Sequence, residues 1–202
     1  MQPGDGDGTG LSARAAAGAS DTTLHDKLRA LRKERGLSIA QVSEMTGISS
    51  AFLSQVENGK NDITVTRLMR LVDAFGVSVA DLLPGDQTGE RGLTVVRAGM
   101  ERRLTSPSEQ MEVRVMSARG HSKFMPALTV YEPGGGMSEA AAFESEEVVY
   151  VLEGEIELEY EGEVVTLNPG DVAYFDGRGV HRYRNLSDGE AKAFSVTWPA
   201  IF

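Results

Sequence analysis

A short stretch of the chain carries small hydroxyl and amide side chains that could make hydrogen bonds to the bases of DNA. They lie on one side of a helical repeat whose other side is apolar, with Phe52, Leu53 and Val56 at helical spacing. The polar members are Ser49, Ser50, Ser54 and Gln55. An amide such as that of Gln55 can donate to adenine and accept from it at once in the major groove. The pattern therefore predicts a helix that reads DNA bases.

The residues around this stretch predict the helices that position it. Leu24, Leu28 and Leu31 recur at spacings of four and three, which is typical of an amphipathic helix. Gly47 follows a second short helix and supplies a tight turn, because glycine adopts positive φ at little cost. With serine and threonine caps before the later helices, residues 22–83 predict an all-α unit of five short helices that contains a helix-turn-helix.

The charge of the chain is concentrated away from this unit. The 202 residues carry a net charge of −10. Residues 22–83 hold eight basic and seven acidic side chains, or +1, whereas residues 84–202 hold eleven basic and twenty acidic, or −9. A nearly neutral unit attracts DNA phosphates only weakly. We therefore expect binding to depend on a few well-placed cations and on specific contacts.

Composition bounds the class of protein. With 41% hydrophobic and 25% charged residues, the chain is typical of a soluble globular protein of one or two domains. It has no cysteine, which excludes disulfides and thiolate metal sites. No apolar run approaches the ~20 residues that span a bilayer, so no membrane partner is expected. Residues 1–21 are rich in Gly, Ala and Ser and lack the pattern of a signal peptide, which predicts a disordered tail and a cytoplasmic protein.

Residues 22–83 resemble the phage-repressor-like helix-turn-helix family, also called the Xre family. The matching positions are Arg32, Gly36, Gly47 and the Glu-Asn-Gly run at 57–59. The resemblance implies an ion pair between Arg32 and Glu57 that braces the first helix against the recognition helix. It also implies double-stranded DNA as the partner. Some relatives use the same fold for protein contacts, and that alternative stays open.

The resemblance further implies which residues contact DNA. Base edges would be contacted by Ser49, Ser50, Ala51, Ser54 and Gln55. Phosphates would be contacted by Asn58, Lys60, Asn61 and the start of the fourth helix. The chain departs from the family at Asp62, where a proline is usual, and an anion at this position would weaken contacts with the DNA backbone.

Beyond a turn-rich polar linker at 84–92, the chain changes to short runs typical of β-strands. The clearest run alternates with period two, so that Ile156, Leu158 and Tyr160 face a core while glutamates face water. Many short strands separated by Gly, Pro and Asn predict an all-β sandwich or barrel over residues 93–202.

Two pairs of segments in this half resemble the two motifs of the cupin family. The first pair is 133–136 followed by 147–154, and the second is 167–171 followed by 181–185. Both motifs in the correct order are more specific than either alone. The resemblance implies a double-stranded β-helix barrel, and dimerisation through this barrel is a common habit of the family.

The resemblance also bears on metal binding. Metal-binding cupins take two histidines and a glutamate from the first motif and one histidine from the second. Glu147 and His181 match, but residues 140–143 read Ala-Ala-Ala-Phe where the two histidines are expected. His25 and His121 lie elsewhere in the sequence. Two ligands rarely hold a transition metal, so we expect no metal, no cofactor and no catalytic residue.

Without a metal, the barrel interior predicts a pocket for a small molecule, because such pockets combine apolar walls with a few convergent polar groups. The candidate residues are Glu147, His181, Tyr183, Phe143, Arg114 and Tyr131. The alternative is that these side chains simply belong to the core, where aromatic residues of strands are usual and a lone histidine can be held by hydrogen bonds.

Together the two halves predict a sequence-specific transcriptional regulator that acts as a repressor. Its cupin domain would dimerise and bind a small-molecule effector, so that two recognition helices lie ~34 Å apart on a near-palindromic operator. Two alternatives remain. The first is a metal-dependent cupin enzyme with an autoregulatory DNA-binding domain. The second is a constitutive DNA-binding dimer in which the cupin domain serves only dimerisation.

Overall fold

The computed structural model describes residues 23–77, 79–83, 95–116 and 123–200. The predicted tail at 1–21 and the predicted linker at 84–92 lie outside these residues. The helices come first, in the order α1 (Leu24–Glu34), α2 (Ile39–Thr46), α3 (Ser50–Glu57), α4 (Val65–Phe75) and α5 (Val79–Leu82). All strands follow them. Among the described helices, none is long and apolar enough to cross a membrane.

Local sequence sets the ends of the helices. The Thr23 hydroxyl accepts the Asp26 N–H and the Asp26 carboxylate accepts the Thr23 N–H, which is a capping box at the start of α1. Ser38 and Gln41 form the same arrangement at α2. Gly47 ends α2 with a φ of 70°, the left-handed conformation that the predicted turn requires.

The prediction of five helices is not matched in full. Over the described part of residues 23–83, four helices have eight to eleven residues, whereas α5 is a single turn of four. Val79, Leu82 and Leu83 are all buried, so packing holds this last segment in place. With four residues, α5 is too short to form a second turn. The shared core of the domain is formed by Leu28, Val42, Leu53, Val56, Leu68, Val72 and Phe75.

The C-terminal half is a pair of antiparallel sheets. Within the described residues the strands are β1 (Arg102–Ser106), β2 (Met111–Val115), β3 (Met125–Tyr131), β4 (Glu146–Glu153), β5 (Ile156–Tyr160), β6 (Glu163–Leu167), β7 (Val172–Asp176), β8 (His181–Arg184) and β9 (Ala191–Trp198). The larger sheet has the order β1-β2-β3-β9-β4-β7, and the smaller has the order β6-β5-β8. The prediction of an all-β second half is confirmed.

The period-two pattern of β5 has the orientation that the sequence predicts. Ile156 and Leu158 are buried. Glu157 and Glu159 face the other way and form ion pairs with Arg184 and Arg182 of β8. Tyr160, at the strand end, is half-buried, and its ring packs against Phe175 at 5.2 Å between centroids.

Candidate functional site

The recognition helix α3 is held in place by the ion pair that the family resemblance implies. Arg32 Nε donates to Glu57 Oε1 at 2.6 Å and Arg32 Nη2 donates to Glu57 Oε2 at 2.8 Å. Arg32 Nη1 also donates to the Leu37 carbonyl at 2.8 Å, so one guanidinium joins α1, α3 and the start of the helix-turn-helix. Both side chains keep only about a tenth of their surface in water, at 12% and 10%. Such a bidentate pair fixes orientation as well as distance.

The side chains predicted to contact bases lie together along one side of α3. Ser49, Ser50, Ala51 and Gln55 are exposed, and Ser54 is half-buried. Leu53 and Val56, on the opposite side of the helix, are buried in the domain core. Ser49 is also the N-cap, because its hydroxyl accepts the Phe52 N–H at 3.3 Å.

Two residues predicted to contact phosphates are engaged with α3 itself. Asn58 Nδ2 donates to the Ser54 carbonyl at 2.6 Å. Asn61 Nδ2 donates to Gln55 Oε1 at 2.7 Å. A carbonyl oxygen accepts two hydrogen bonds, so Gln55 can still accept once more and can donate through its amide nitrogen. Asn61 therefore orients the Gln55 amide in the absence of DNA. The third residue predicted to contact phosphates, Lys60, is exposed.

A second candidate site is a cavity of about 80 Å³ inside the β domain. Its apolar walls include the methionines Met69, Met111, Met125 and Met137 together with Val65, Val113, Ala127, Phe143, Val149 and Ala193. Its polar groups come from Thr66, Thr129, Tyr131, Glu147, His181, Tyr183, Ser195 and Thr197. The lining therefore comes from five strands, from the segment between β3 and β4, and from α4, which belongs to the other domain.

Three polar side chains converge at one end of this cavity. The Tyr183 hydroxyl donates to Glu147 Oε1 at 3.0 Å, and His181 Nε2 lies 3.8 Å from Glu147 Oε2. His181 Nδ1 lies 2.8 Å from the Gly179 carbonyl. A carbonyl oxygen only accepts, so Nδ1 carries the proton and Nε2 of the neutral ring is an acceptor. Phe175 packs edge-on against the His181 ring, with the centroids 4.9 Å apart.

Burial changes the protonation of this cluster. It raises the pKa of Glu147 to about 7, although the hydrogen bond from Tyr183 acts in the opposite direction. Burial also lowers the pKa of His181, against the effect of its bond to Gly179. The pKa values of Tyr131 and Tyr183 rise because both phenols are buried close to the Glu147 carboxylate. Near neutral pH the cluster therefore holds a neutral imidazole and a carboxyl group close to its titration midpoint.

The structure brings most of the predicted pocket residues together. Glu147, His181, Tyr183, Phe143 and Tyr131 all line the cavity. Arg114 does not line it, and its Nε donates to Glu112 on the same face of β2 at 2.6 Å. The alternation of β2 carries that signal, because Met111, Val113 and Val115 are the buried side.

Several lining residues were not predicted from the sequence. Met111 and Met125 fall on the buried sides of β2 and β3, so strand alternation alone could have found them, whereas Met137 lies in the segment after β3. Nothing in the sequence placed Val65, Thr66 and Met69 in the wall of a cavity of the other domain.

The residues present do not fit a metal ion of the cupin type. Glu147 and His181 are the two candidate ligands. Ala141 and Phe143 stand in the segment where the resemblance expects histidines, and Ala141 pairs with His181 only through the backbone. Across residues 23–77, 79–83, 95–116 and 123–200, no group of three or more His, Cys, Asp or Glu side chains could hold a metal.

Comparison with known proteins assigns each domain. Residues 28–82 match the family model described as Helix-turn-helix, and residues 127–197 match the model described as Cupin domain. The chain is 24% identical over 177 residues to the HTH-type transcriptional regulator PuuR of Escherichia coli (strain K12), which covers 87% of this chain and 95% of that protein. It is 26% identical over 165 residues to the HTH-type transcriptional regulator SutR of the same strain, covering 80% of this chain and 86% of that protein.

A solved structure shares the whole arrangement. The HTH_3 family transcriptional regulator from Vibrio cholerae aligns with a TM-score of 0.65 at 18% identity, over 87% of this chain and 94% of that one. The fold and its exposed recognition helix thus define a DNA-binding transcriptional regulator. The chain belongs to the Xre-like helix-turn-helix regulators that carry a C-terminal cupin domain, and both family predictions are confirmed.

Proposed function

We propose that this regulator is a homodimeric repressor whose affinity for its operator is set by a small molecule bound in the cupin cavity. One observation carries the proposal. The polar atoms of Glu147, His181 and Tyr183 converge at one end of a cavity whose other walls are largely apolar. A core without a ligand has no need for a carboxyl group there, since burying it raises its pKa to about 7. Perturbed groups inside a cavity are typical of binding sites.

The chemistry of the cavity indicates the class of effector. His181 Nε2 accepts hydrogen bonds, and the Glu147 carboxyl can accept them in either protonation state. The methionine side chains of the other walls adapt their shape readily. A small molecule with an apolar body and a hydrogen-bond donor at one end would satisfy both regions.

For DNA recognition, we propose that the exposed side of α3 reads bases in the major groove. The exposure of Ser49, Ser50, Ala51 and Gln55 supports this assignment, as does the fixed orientation of the Gln55 amide. Lys60 is the proposed phosphate contact. Asn58 and Asn61 act as well by holding Ser54 and Gln55 in place.

The outer face of the larger sheet supports dimerisation. Val148 of β4 pairs with Tyr174 of β7, and Tyr150 pairs with Val172, so all four side chains project from the same face. Between 38% and 65% of each of these side chains is exposed. A second copy of the chain on this apolar face would cover it, where a standard interface buries about 800 Å² on each partner. Two copies would also present the two recognition helices that a palindromic operator needs.

We further propose that the chain is not an enzyme and works in the cytoplasm. The full-length relatives PuuR and SutR are named transcriptional regulators. The donor set of the cavity does not fit the metal on which the alternative cupin enzyme would depend.

The decisive experiment measures operator binding. Purified protein is scanned against its own upstream DNA at two salt concentrations, with and without a panel of small metabolites. We expect selective binding that one metabolite changes ~5–150-fold, the usual range of allosteric coupling. Tyr183→Phe removes the hydroxyl bonded to Glu147 and should reduce this response, whereas Tyr160→Phe removes a hydroxyl that donates to the Asp176 carbonyl outside the cavity and should keep it.

Two results would contradict the proposal. Selective binding that no metabolite alters would leave the cupin domain as a dimerisation unit only. An equal loss of response in Tyr160→Phe and Tyr183→Phe would show that the effector does not bind in the cavity.

A further inference from the structure

One wall of the cupin cavity is supplied by the DNA-binding domain. Val65, Thr66 and Met69 line the cavity beside residues of β2, β3, β4, β8 and β9. Residues three and four apart lie on the same face of a helix, so the start of α4 presents one surface to the cavity. All three side chains are buried, with Thr66 at 0% exposure.

A buried carboxylate holds this end of α4 against the β domain. Glu109, between β1 and β2, accepts the Val65 N–H with Oε2 at 2.9 Å. The same oxygen accepts the Ser106 hydroxyl at 3.0 Å, and Oε1 accepts the Ser138 N–H and hydroxyl at 3.0 and 2.8 Å. The first N–H groups of a helix have no partner within it and carry partial positive charge, which favours an anion there. Glu109 thus caps α4 from the other domain.

A second contact between the two domains is made by residues that follow Val65 in the first two turns of α4. Glu139 is paired with Arg67, and its Oε2 lies 3.5 Å from Arg70 Nη1. The Thr66 hydroxyl also donates to the Glu139 carbonyl at 3.3 Å. Both contacts between the domains lie beside the cavity. Ser138, which donates to Glu109, and Glu139 directly follow Met137 in the chain, and Met137 lines the cavity wall.

From this geometry we infer that α4 is part of the effector site, so that a bound molecule contacts Thr66 and Met69 of the DNA-binding domain directly. The inference rests on the proposed function of the cavity. Occupancy of the cavity is then coupled to docking of α4, so a bound ligand favours docking by the same factor by which docking raises the affinity for the ligand. Leu68 and Val72 of α4 belong to the core that also holds α3. Movement of α4 at the cavity would therefore be transmitted to the recognition helix α3 through this shared core.

Xenon is a suitable probe, because it enters apolar cavities without any specific chemistry. The protein is labelled with ¹³C at the methionine methyl groups, and each signal is assigned by a Met→Leu variant. We expect the methyl of Met69 to shift with increasing xenon pressure in parallel with the barrel methionines Met111, Met125 and Met137. The exposed Met45 and Met100 serve as internal controls and should not shift.

Matched double variants then test the coupling. Arg67→Ala with Arg70→Ala removes both partners of Glu139, and we expect the xenon shift of Met69 to fall at least twofold relative to Met125. Arg182→Ala with Arg184→Ala removes two ion pairs on the outer side of β8 with the same change of charge, and should leave the ratio unchanged. Glu139→Ala removes the same docking contact from the other domain and should reproduce the first result.

The outcomes separate this inference from the proposed function. Barrel methionines that respond while Met69 stays silent would overturn the inference and leave the cavity as the ligand site. Equal Met69 responses in the two double variants would overturn the coupling. If no cavity methionine responds, the cavity does not open to a small molecule, and the proposed effector site fails together with the inference.

Discussion

The recognition helix and the cupin cavity place their functional side chains in opposite ways. Along α3 the polar groups are exposed and the apolar ones face the core, so function and folding use different residues. In the cavity, Glu147 and His181 are buried among core residues, so the same side chains contribute to packing and to the proposed binding of an effector. The exposed groups of α3 are not affected by burial. In the cavity, burial raises the pKa of Glu147 and lowers that of His181. This difference predicts how substitutions in the two regions differ in their effects.

The largest effect is expected in the DNA-binding domain, at a charged pair that is largely buried and supports the fold. Arg32→Ala leaves Glu57 without its partner in a largely buried position, and we expect the free energy of unfolding to fall by about 3 kcal/mol. Urea denaturation monitored by circular dichroism measures the loss. Arg178→Ala removes a bidentate ion pair with Asp176 that is exposed, and should leave the denaturation midpoint unchanged. Equal midpoints for the two variants would show that the Arg32 pair does not support the domain.

The next effect is the dependence of stability on pH in the cavity. Burial raises the pKa of Glu147 to about 7 in the native protein, above the ordinary value of 4.5 for a glutamate. Between these pH values the native carboxyl holds a proton that the unfolded chain has lost, so the free energy of unfolding falls as the pH rises through this window. The slope approaches about 1.4 kcal/mol per pH unit in the middle of this window and is smaller at both ends, so the loss across the window is about 2–3 kcal/mol.

The variants for this test are Glu147→Gln and Tyr183→Phe. Subtracting the stability curve of Glu147→Gln from that of the wild type over pH 4.5 to 8 should isolate the titration of Glu147. Tyr183→Phe should move its midpoint to higher pH, because the hydroxyl bond favours the ionised carboxylate. A flat difference curve would show that Glu147 is not desolvated in solution.

In the DNA interface we expect smaller effects that act on affinity and not on stability. Gln55→Ala should cost ~1–3 kcal/mol of operator affinity, confined to one base position, because Gln55 is exposed and its amide is the proposed contact with a base edge. Lys60→Ala should weaken binding to all sequences alike and reduce the salt slope by ~1. Fluorescence anisotropy on the operator and on random DNA separates the two patterns. Equal losses on both DNAs for both variants would contradict the division into base and phosphate contacts.

Asn61→Ala sharpens the same comparison. Its amide donates to Gln55 Oε1 and orients that side chain, so its removal should reproduce the base-specific loss of Gln55→Ala with smaller magnitude, under about 1 kcal/mol. A loss that is uniform across sequences would make Asn61 a phosphate contact instead.

The smallest effect is expected from metal removal. Among the residues that the structure describes, the cavity is lined by Glu147 and His181 but by no other His, Cys, Asp or Glu side chain, so dialysis against a chelator should change neither the melting temperature nor the operator affinity. Elemental analysis of the purified protein should find less than one metal ion per chain. A stoichiometric metal, with activity on a small molecule, would favour the alternative enzyme.

Much of this architecture could be predicted from short-range patterns. The helical spacing of the leucines in α1, the glycine turn at Gly47 and the alternation of β5 each depend on neighbours within a few residues. Arg114 shows the limit of a residue-by-residue choice, because it was named as a pocket candidate although its position in β2 places it on the outer face. The predicted count of five helices was matched only in part, because the last segment is a single turn of four residues.

The sequence by itself determined the helical and the β-rich halves and the exposed side of the recognition helix, because these follow from periodicity. It also determined the family of each half, through the resemblance of its motifs to those of known families. Only the tertiary structure decided that α4 closes the cupin cavity. That contact joins Val65 to Glu109 and Thr66 to Glu139, residues 44 and 73 positions apart. No local pattern encodes which carboxylate will cap a helix of another domain. The choice depends on shape and on buried hydrogen bonds that exist only once both domains have folded.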